Sequence, residues 1–145
     1  VSGIVRYLLD TNILSDLINR GRDGPVAAML EGRTANVCTS IVAAAEIRYG
    51  VARKGSQSLA DRAETALGTI PIAPLAAPAD RYYGEIRALL TKRGTPIGPN
   101  DLLIAAQCLA LNLCLVSANL SEFRRVPGLE IENWLDPHAV GNDLH

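Results

Sequence analysis

Residues 4–20 read IVRYLLDTNILSDLINR, and the change of pattern inside this stretch decides the fold class. IVRYLL is a short apolar, β-prone run that ends at Asp10. TNILSDLINR then switches to helical spacing, with Ile13, Leu14, Leu17 and Ile18 on one face. A strand therefore feeds straight into a helix, with an acidic residue at the junction. In open parallel sheets the carboxyl ends of the strands line the crevice where ligands bind, which makes Asp10 a candidate functional residue. Asp10, or Asn12 after it, is equally suited to cap the helix, and the local pattern admits both roles.

The same alternation continues outward. PVAAMLEG predicts a helix started by Pro25 and stopped by Gly32, followed by a strand at NVCTS. Ser40 is placed to cap a helix through IVAAAEIRYGVARK, because its hydroxyl accepts first-turn amides. Residues 57–69 read as a helix, IPIAPL as a short strand, and PADRYYGEIRALLTKRG as a helix from Pro78 to Gly94. From Asn100 to Leu111 the chain is apolar on nearly every side, the mark of a helix buried on more than one face. LCLVS is a strand, NLSEF a turn or short helix, and LEIENW a last strand. Strands alternating with helices too apolar to stand alone predict an α/β fold with a mainly parallel sheet covered on both faces.

With 145 residues and 48% hydrophobic content the chain suits one domain, read as residues 1–136 with a polar tail over 137–145. The run LLIAAQCLALNLCLV is interrupted by Gln107, Cys108 and Asn112 and is shorter than a membrane span. No basic region followed by an apolar core marks a signal peptide at VSGIVRYLLD, so a cytoplasmic location is expected. Cys38, Cys108 and Cys114 are odd in number, lack CxxC spacing and sit in apolar surroundings, which predicts reduced core thiols. Both histidines, His138 and His145, fall in the tail, so a His-ligated zinc site or a Ser-His or Cys-His pair is excluded and any metal must use oxygen ligands. The formal charge of −1 carries no bulk basic signal for nucleic acid.

Three further positions stand out. Glu46 follows three alanines in AAAEIRYG, small enough to admit an ion or another backbone, although a helical Glu also suits a solvated face. Asp101 opens the most apolar helix and shares a face with Ile104, Ala105 and Cys108; a charge there needs compensation, from a partner or from the helix dipole. Asn119 follows LCLVSA at a strand end and so emerges at the same sheet edge as Asp10, unless it is a plain turn residue. An Asp at a strand end also occurs in phosphotransfer receivers and haloacid-type phosphatases, but the first strand has no DxD pair and no strand-end Lys is evident.

LLDTN with its helix, then SIVAAAEIRYG, TPIGPNDLLIAA and LVSANLSEFRRVPGLEIENW, resembles the PIN-domain toxins of the VapC group from bacterial VapBC toxin–antitoxin modules, over about Tyr7 to Trp134. PIGPND and EFRRVPGLEIENW carry the specificity of the match. The resemblance implies a three-layer α/β/α fold and an endoribonuclease dependent on Mg²⁺ or Mn²⁺. It implies Asp10, Glu46 and Asp101 as an acidic triad, with Asp10 and Asp101 on the principal ion and Glu46 completing its shell or orienting water. Products would carry a 5′-phosphate, and a second cation would arrive only with the substrate. The family's fourth acidic position falls on Asn119; Glu122 is near enough to replace it but reads as a surface residue ahead of the core residue Phe123. Thr11 and Asn12 suit fixing Asp10, contacting phosphate, or capping. Gln107 stands where many relatives carry His.

The resemblance further implies an RNA substrate, a homodimer, and a VapB-like antitoxin whose C-terminal segment covers the acidic site, often with a basic side chain, in a heterotetramer or larger assembly. DNA would be reached only through the antitoxin, and no membrane is involved. Arg48, Arg53, Lys54, Lys92, Arg93, Arg124 and Arg125 are candidates for RNA backbone contacts, and Tyr49, Tyr82, Tyr83 and Trp134 for either protein contacts or core packing. A second reading is a catalytically weak PIN subunit that serves mainly as a partner in a DNA-bound regulatory complex. Cutters of tRNA, ribosomal RNA and messenger RNA share these acidic positions and differ in surface shape.

Overall fold

The computed structural model describes residues 4–136. The tail over 137–145, with His138 and His145, lies outside the described residues. The elements run β1 (Tyr7–Leu9), α1 (Thr11–Arg20), α2 (Pro25–Leu30), β2 (Val37–Ser40), α3 (Ile41–Lys54), α4 (Gln57–Thr69), β3 (Ile72–Ala73), α5 (Ala79–Lys92), α6 (Pro99–Leu111), β4 (Cys114–Val116), α7 (Leu120–Phe123) and β5 (Ile131–Glu132). The strands form one sheet in the order β3-β2-β1-β4-β5, with all four pairings parallel.

The strands are shorter than their apolar runs. β1 uses only Tyr7–Leu9 of IVRYLL, because residues 4–6 are exposed, and β5 keeps only Ile131–Glu132 of LEIENW. The helices follow their signals more closely. Ser40 Oγ accepts the Val42 amide at 3.0 Å, as a cap for α3, and Gly55 ends that helix in the left-handed region at φ 66°, where a side chain would be strained.

From β1 the chain steps to β2 and β3 on one side, then returns across the sheet to place β4 on the other side of β1. Right-handed crossovers put α1–α4 on one face and α5–α6 on the opposite face. The packing agrees: α1, α3 and α4 contact one another, and α5 lies along α6. The strand order reverses between β1 and β4, and the crevice above that point is where such sheets bind ligands.

The core lies on both sides of the central strands. Leu8, Leu9, Leu115 and Val116 are fully buried, as are Ile104, Ala105 and Ala106 from α6. Trp134 closes the far end, its ring edge-on to Tyr7 with centroids 5.2 Å apart. Trp134 is therefore a core residue, as is Phe123, while Tyr49 is strongly exposed. The three cysteines are free and buried; burial pushes the Cys38 thiol up to about 11 and Cys114 to about 12, so both stay protonated. Among the described residues no helix is long and apolar enough to cross a membrane.

Gln107 is the polar exception inside α6, with 1% of its surface exposed. Its Nε2 donates to the carbonyl oxygens of Ala73 and Pro74, both at 3.0 Å, and so ties the buried helix to the exit of edge strand β3. Two strand-end carbonyls would otherwise face an apolar interior. Gln107→Leu keeps the volume and strips both donors, and is expected to lower stability by about 1–3 kcal/mol in urea unfolding.

Candidate active site

Asp10 sits where β1 becomes α1. Its amide donates to Val116 O at 3.0 Å, which extends the β1–β4 ladder by one residue, and its Oδ1 accepts the Ile13 amide at 3.0 Å, which caps α1. The two roles read from sequence hold together: the residue is both a strand end and a helix cap. Thr39 Oγ1 donates to Leu9 O at 2.7 Å and locks the neighbouring end of β2 against the same point. Only 3% of Asp10 is exposed. Burial raises its carboxyl from 3.8 to about 6, and the charge on Glu46 adds to the rise. Hydrogen bonds from the Ser117 side chain and from the Ile13 and Asn12 backbone oppose it without cancelling it. A rise of that size represents about 3 kcal/mol set against the ionised folded state.

Glu46 comes from the second turn of α3 and is half-buried rather than solvated. Thr11 Oγ1 donates to its Oε1 at 2.5 Å and Asn100 Nδ2 to its Oε2 at 3.3 Å. Thr11 therefore fixes Glu46 rather than Asp10, and Asn12 serves Asp10 through its backbone. Asp101, in the first turn of α6, is raised to about 6 by burial first and then by the charges of Glu122, Asp10 and Glu46. Those couplings bring all three triad candidates into one electrostatic unit.

Asn119 lies at the expected sheet edge, and its side chain is engaged with a neighbouring carboxylate. Asn119 Nδ2 donates to Glu122 Oε2, and the Gly98 amide donates to Glu122 Oε1 at 3.0 Å. Glu122 also shares a side-chain hydrogen bond with Asp101. The expectation that Glu122 is a surface residue is thus corrected: it is half-buried and turned inward, because α7 is a single turn that puts Phe123 into the core and the residue before it against α6. Asn119 positions this fourth carboxylate.

Sequence reasoning passed over two residues. Ser117, fully buried at the end of β4, joins the Asp10 carboxylate and accepts the Asn119 amide at 2.9 Å. Asn100 holds Glu46. Each adjoins a residue that was singled out, and the rule that strand ends flank the site pointed at Ser117.

The donor set is made of oxygen alone, which fits a hard divalent cation. Among the described residues no three acidic, histidine or cysteine side chains converge as a ready-made metal cage. What fits the cation is the electrostatics: Asp10 and Asp101 are both driven up to about 6, and the charges of Glu46 and Glu122 add to that rise. A cation relieves the same repulsion.

Beside Glu46 opens a cleft of about 850 Å³ between α3 and α6, lined also by Thr11, Ile41, Ala45, Asn100 and Leu103 and not by Asp10, Asp101 or Glu122. A second concavity, about 610 Å³, lies at the opposite edge of the sheet around Arg6, Asn112 and Glu130 and holds none of the acidic cluster. Of the basic candidates, Arg48 is paired with Glu64 and Arg125 with Pro96 O, whereas Arg53 and Lys54 line clefts beside Glu46.

The pH dependence follows from the sign of these shifts. Asp101 titrates higher in the fold than in the unfolded chain, so its stability cost is absent below about 3.8 and complete above about 6. In EDTA, Asp101→Asn is therefore expected to unfold at a higher temperature than the parent chain at pH 7.5, with the difference closing toward pH 4; calorimetry across that range checks it.

The PIN domain family matches residues 7–129 of the chain. The chain is similar to Ribonuclease VapC2 of Rickettsia felis, with 37% identity over 130 residues that span 88% of this chain and 97% of the relative. It is also similar to the tRNA(fMet)-specific endonuclease VapC of Salmonella typhimurium, with 30% identity over 90% of this chain and 99% of that protein. In structure it matches a chain of VapBC2 from Rickettsia felis, solved bound to a DNA fragment from its promoter, at a TM-score of 0.83 and 37% identity over 90% of this chain and 99% of that one. The fold, the switch-point cluster of carboxylates and these likenesses lead to one assignment: the chain belongs to the PIN-domain family, in its VapC group.

Proposed function

We propose that this chain is the toxin of a toxin–antitoxin pair, an endoribonuclease that hydrolyses RNA phosphodiester bonds with Mg²⁺ or Mn²⁺ and is held inactive by a VapB-like antitoxin. The observation that carries this reading is the gathering of Asp10, Glu46, Asp101 and Glu122 at the carboxyl edge of the sheet, with both aspartates raised to about 6. The names of the relatives support RNA as substrate and make tRNA the first class to test.

Asp10 and Asp101 would hold the principal ion, and Glu46 and Glu122 flank it. A hard divalent cation supplies neutralisation of the phosphate charge and assistance to both the attacking and the departing oxygen. The rest is the work of side chains. Glu46, steadied by Thr11 and Asn100, orients the attacking water and accepts hydrogen-bonded proton density from it. Water's oxygen bonds to phosphorus as the bond to the 3′-oxygen breaks; its proton ends on the 3′-hydroxyl, and the other fragment keeps a 5′-phosphate. Ser117 keeps Asp10 in place throughout.

VapBC complexes bound to DNA among the structural relatives support an antitoxin partner and a DNA-bound assembly; in this reading a basic antitoxin segment covers the acidic edge, the toxin is a homodimer, and DNA is met through the antitoxin. The alternative of a catalytically weak partner subunit arose from the neutral Asn119. The hydrogen bond from Asn119 to Glu122 restores a carboxylate near that place and favours catalysis.

Purified antitoxin-free protein is expected to cut total cellular RNA at discrete sites with Mg²⁺ or Mn²⁺ and not with EDTA, leaving 5′-phosphate ends. Asp10→Asn and Asp101→Asn should abolish the cuts, and Thr11→Val, which releases Glu46, should slow them about 10- to 100-fold. Folded, metal-supplied protein that leaves tRNA and ribosomal RNA intact would shift the assignment to the partner role.

A further inference from the structure

Tyr49 is an aromatic ring left 68% exposed, three residues along α3 from Glu46 and in the same 850 Å³ cleft as Glu46 and Asn100. Its only ring partner among the described residues is Arg53, whose guanidinium carbon lies 5.9 Å from the ring centre. Burying such a ring against solvent is normally favourable, and this one is kept out beside the acidic cluster. A guanidinium over a tyrosine makes a flat, positively charged ledge, the surface on which an unpaired base stacks.

A second cleft, about 200 Å³, lies on the other side of α3, and Thr11, Glu46, Gly50 and Arg53 line both clefts. Gly50, without a side chain, is one of the residues shared by the two clefts. A Cβ added there meets nothing within 4 Å, so the position is open to solvent and not reserved for close packing. Lys54 borders the second cleft, and neither it nor Arg53 has an ion-pair partner among the described residues.

We infer that a single-stranded RNA segment crosses α3 over Gly50, with the base next to the scissile phosphate stacked on the Tyr49–Arg53 ledge and the following phosphates met by Arg53 and Lys54. The inference rests on the ribonuclease reading above and names the residues that would select its substrate. It restricts that substrate to unpaired segments, because a duplex keeps its bases stacked on one another and offers none to the ring. The positive charge on the path also answers the chain's net charge of −1: the basic contribution is local, at one end of α3.

The test uses the full-length antitoxin-free protein with Mn²⁺ and a short single-stranded oligoribonucleotide carrying the mapped cut site, alongside versions abasic at each position in turn. The parent protein should lose kcat/KM at one abasic position flanking the cut. Tyr49→Ala should raise KM about 5- to 100-fold on the intact strand, leave kcat nearly unchanged, and no longer respond to that abasic position; Tyr49→Trp should behave like the parent. Gly50→Leu should raise KM while thermal stability is kept or improved, since leucine favours the helix more than glycine does. A Tyr49→Ala protein with parental KM and undiminished abasic sensitivity would overturn the ledge while leaving the nuclease intact. Loss of self-association or of antitoxin binding in Tyr49→Ala, with RNA kinetics unchanged, would reassign the ring to a protein contact. A parent protein that cuts no RNA at all would remove the ribonuclease reading and this inference with it.

Discussion

A carboxylate buried at the end of the central strand is the constraint around which this protein is arranged. Asp10 lies in the sheet, under the first turn of α1, with almost no access to water. Hydrogen bonds from α1 amides and from Ser117 favour its ionised form, yet burial outweighs them and the group is raised to about 6. The ionised folded state is therefore short of positive charge, and a cation held at this edge, as proposed above, would supply it at the point where the chemistry is placed. Stability and function pull in opposite directions at this residue, as they commonly do where a site is organised in advance of its ligand.

The other carboxylates are held by neighbours that belong to different elements. Thr11 and Asn100 reach Glu46 from the starts of α1 and α6, and Asn119 and the Gly98 amide reach Glu122 from the end of β4 and the start of α6. Each such bond helps to fix a rotamer against mutual repulsion. The donors come from helix starts and strand ends, where backbone and side-chain groups are left over once regular hydrogen bonding stops. The acidic edge is thus assembled from the unfinished ends of the scaffold, and the fully buried α6 gives those ends a rigid base.

Much of this was legible from residue order. The change from apolar run to helical spacing at Asp10, the caps at Ser40 and Gly32, and the all-round apolarity of α6 follow from local steric and solvation rules, so the parallel α/β architecture could be read directly, whereas Asp10, Glu46 and Asp101 were joined as a triad by the resemblance to the PIN-domain family. The strand bounds were less legible, because pairing stops where a neighbour stops: Arg6 still bonds Asn36 O and the Cys114 amide, but Ile4 and Val5, like Asn133 and Trp134, lie outside the paired registers.

What only the tertiary structure decided are the partnerships across distant segments. Thr11 and Glu46 are 35 residues apart, Asn100 and Glu46 are 54 apart, and Gly98 and Glu122 are 24 apart. No local pattern states which of them will meet. Glu122 shows the difference most clearly. By sequence it is an acidic residue in front of a buried Phe, and nothing local turns it inward. In the fold, Phe123 is fixed in the core, α7 is a single turn, and Asn119 and Gly98 stand within hydrogen-bond reach, so the carboxylate joins Asp101. Residue types and their spacing determined the elements and the acidic candidates, because those depend on interactions within a few residues; which oxygen faces which donor depended on packing between layers, which only the folded chain contains.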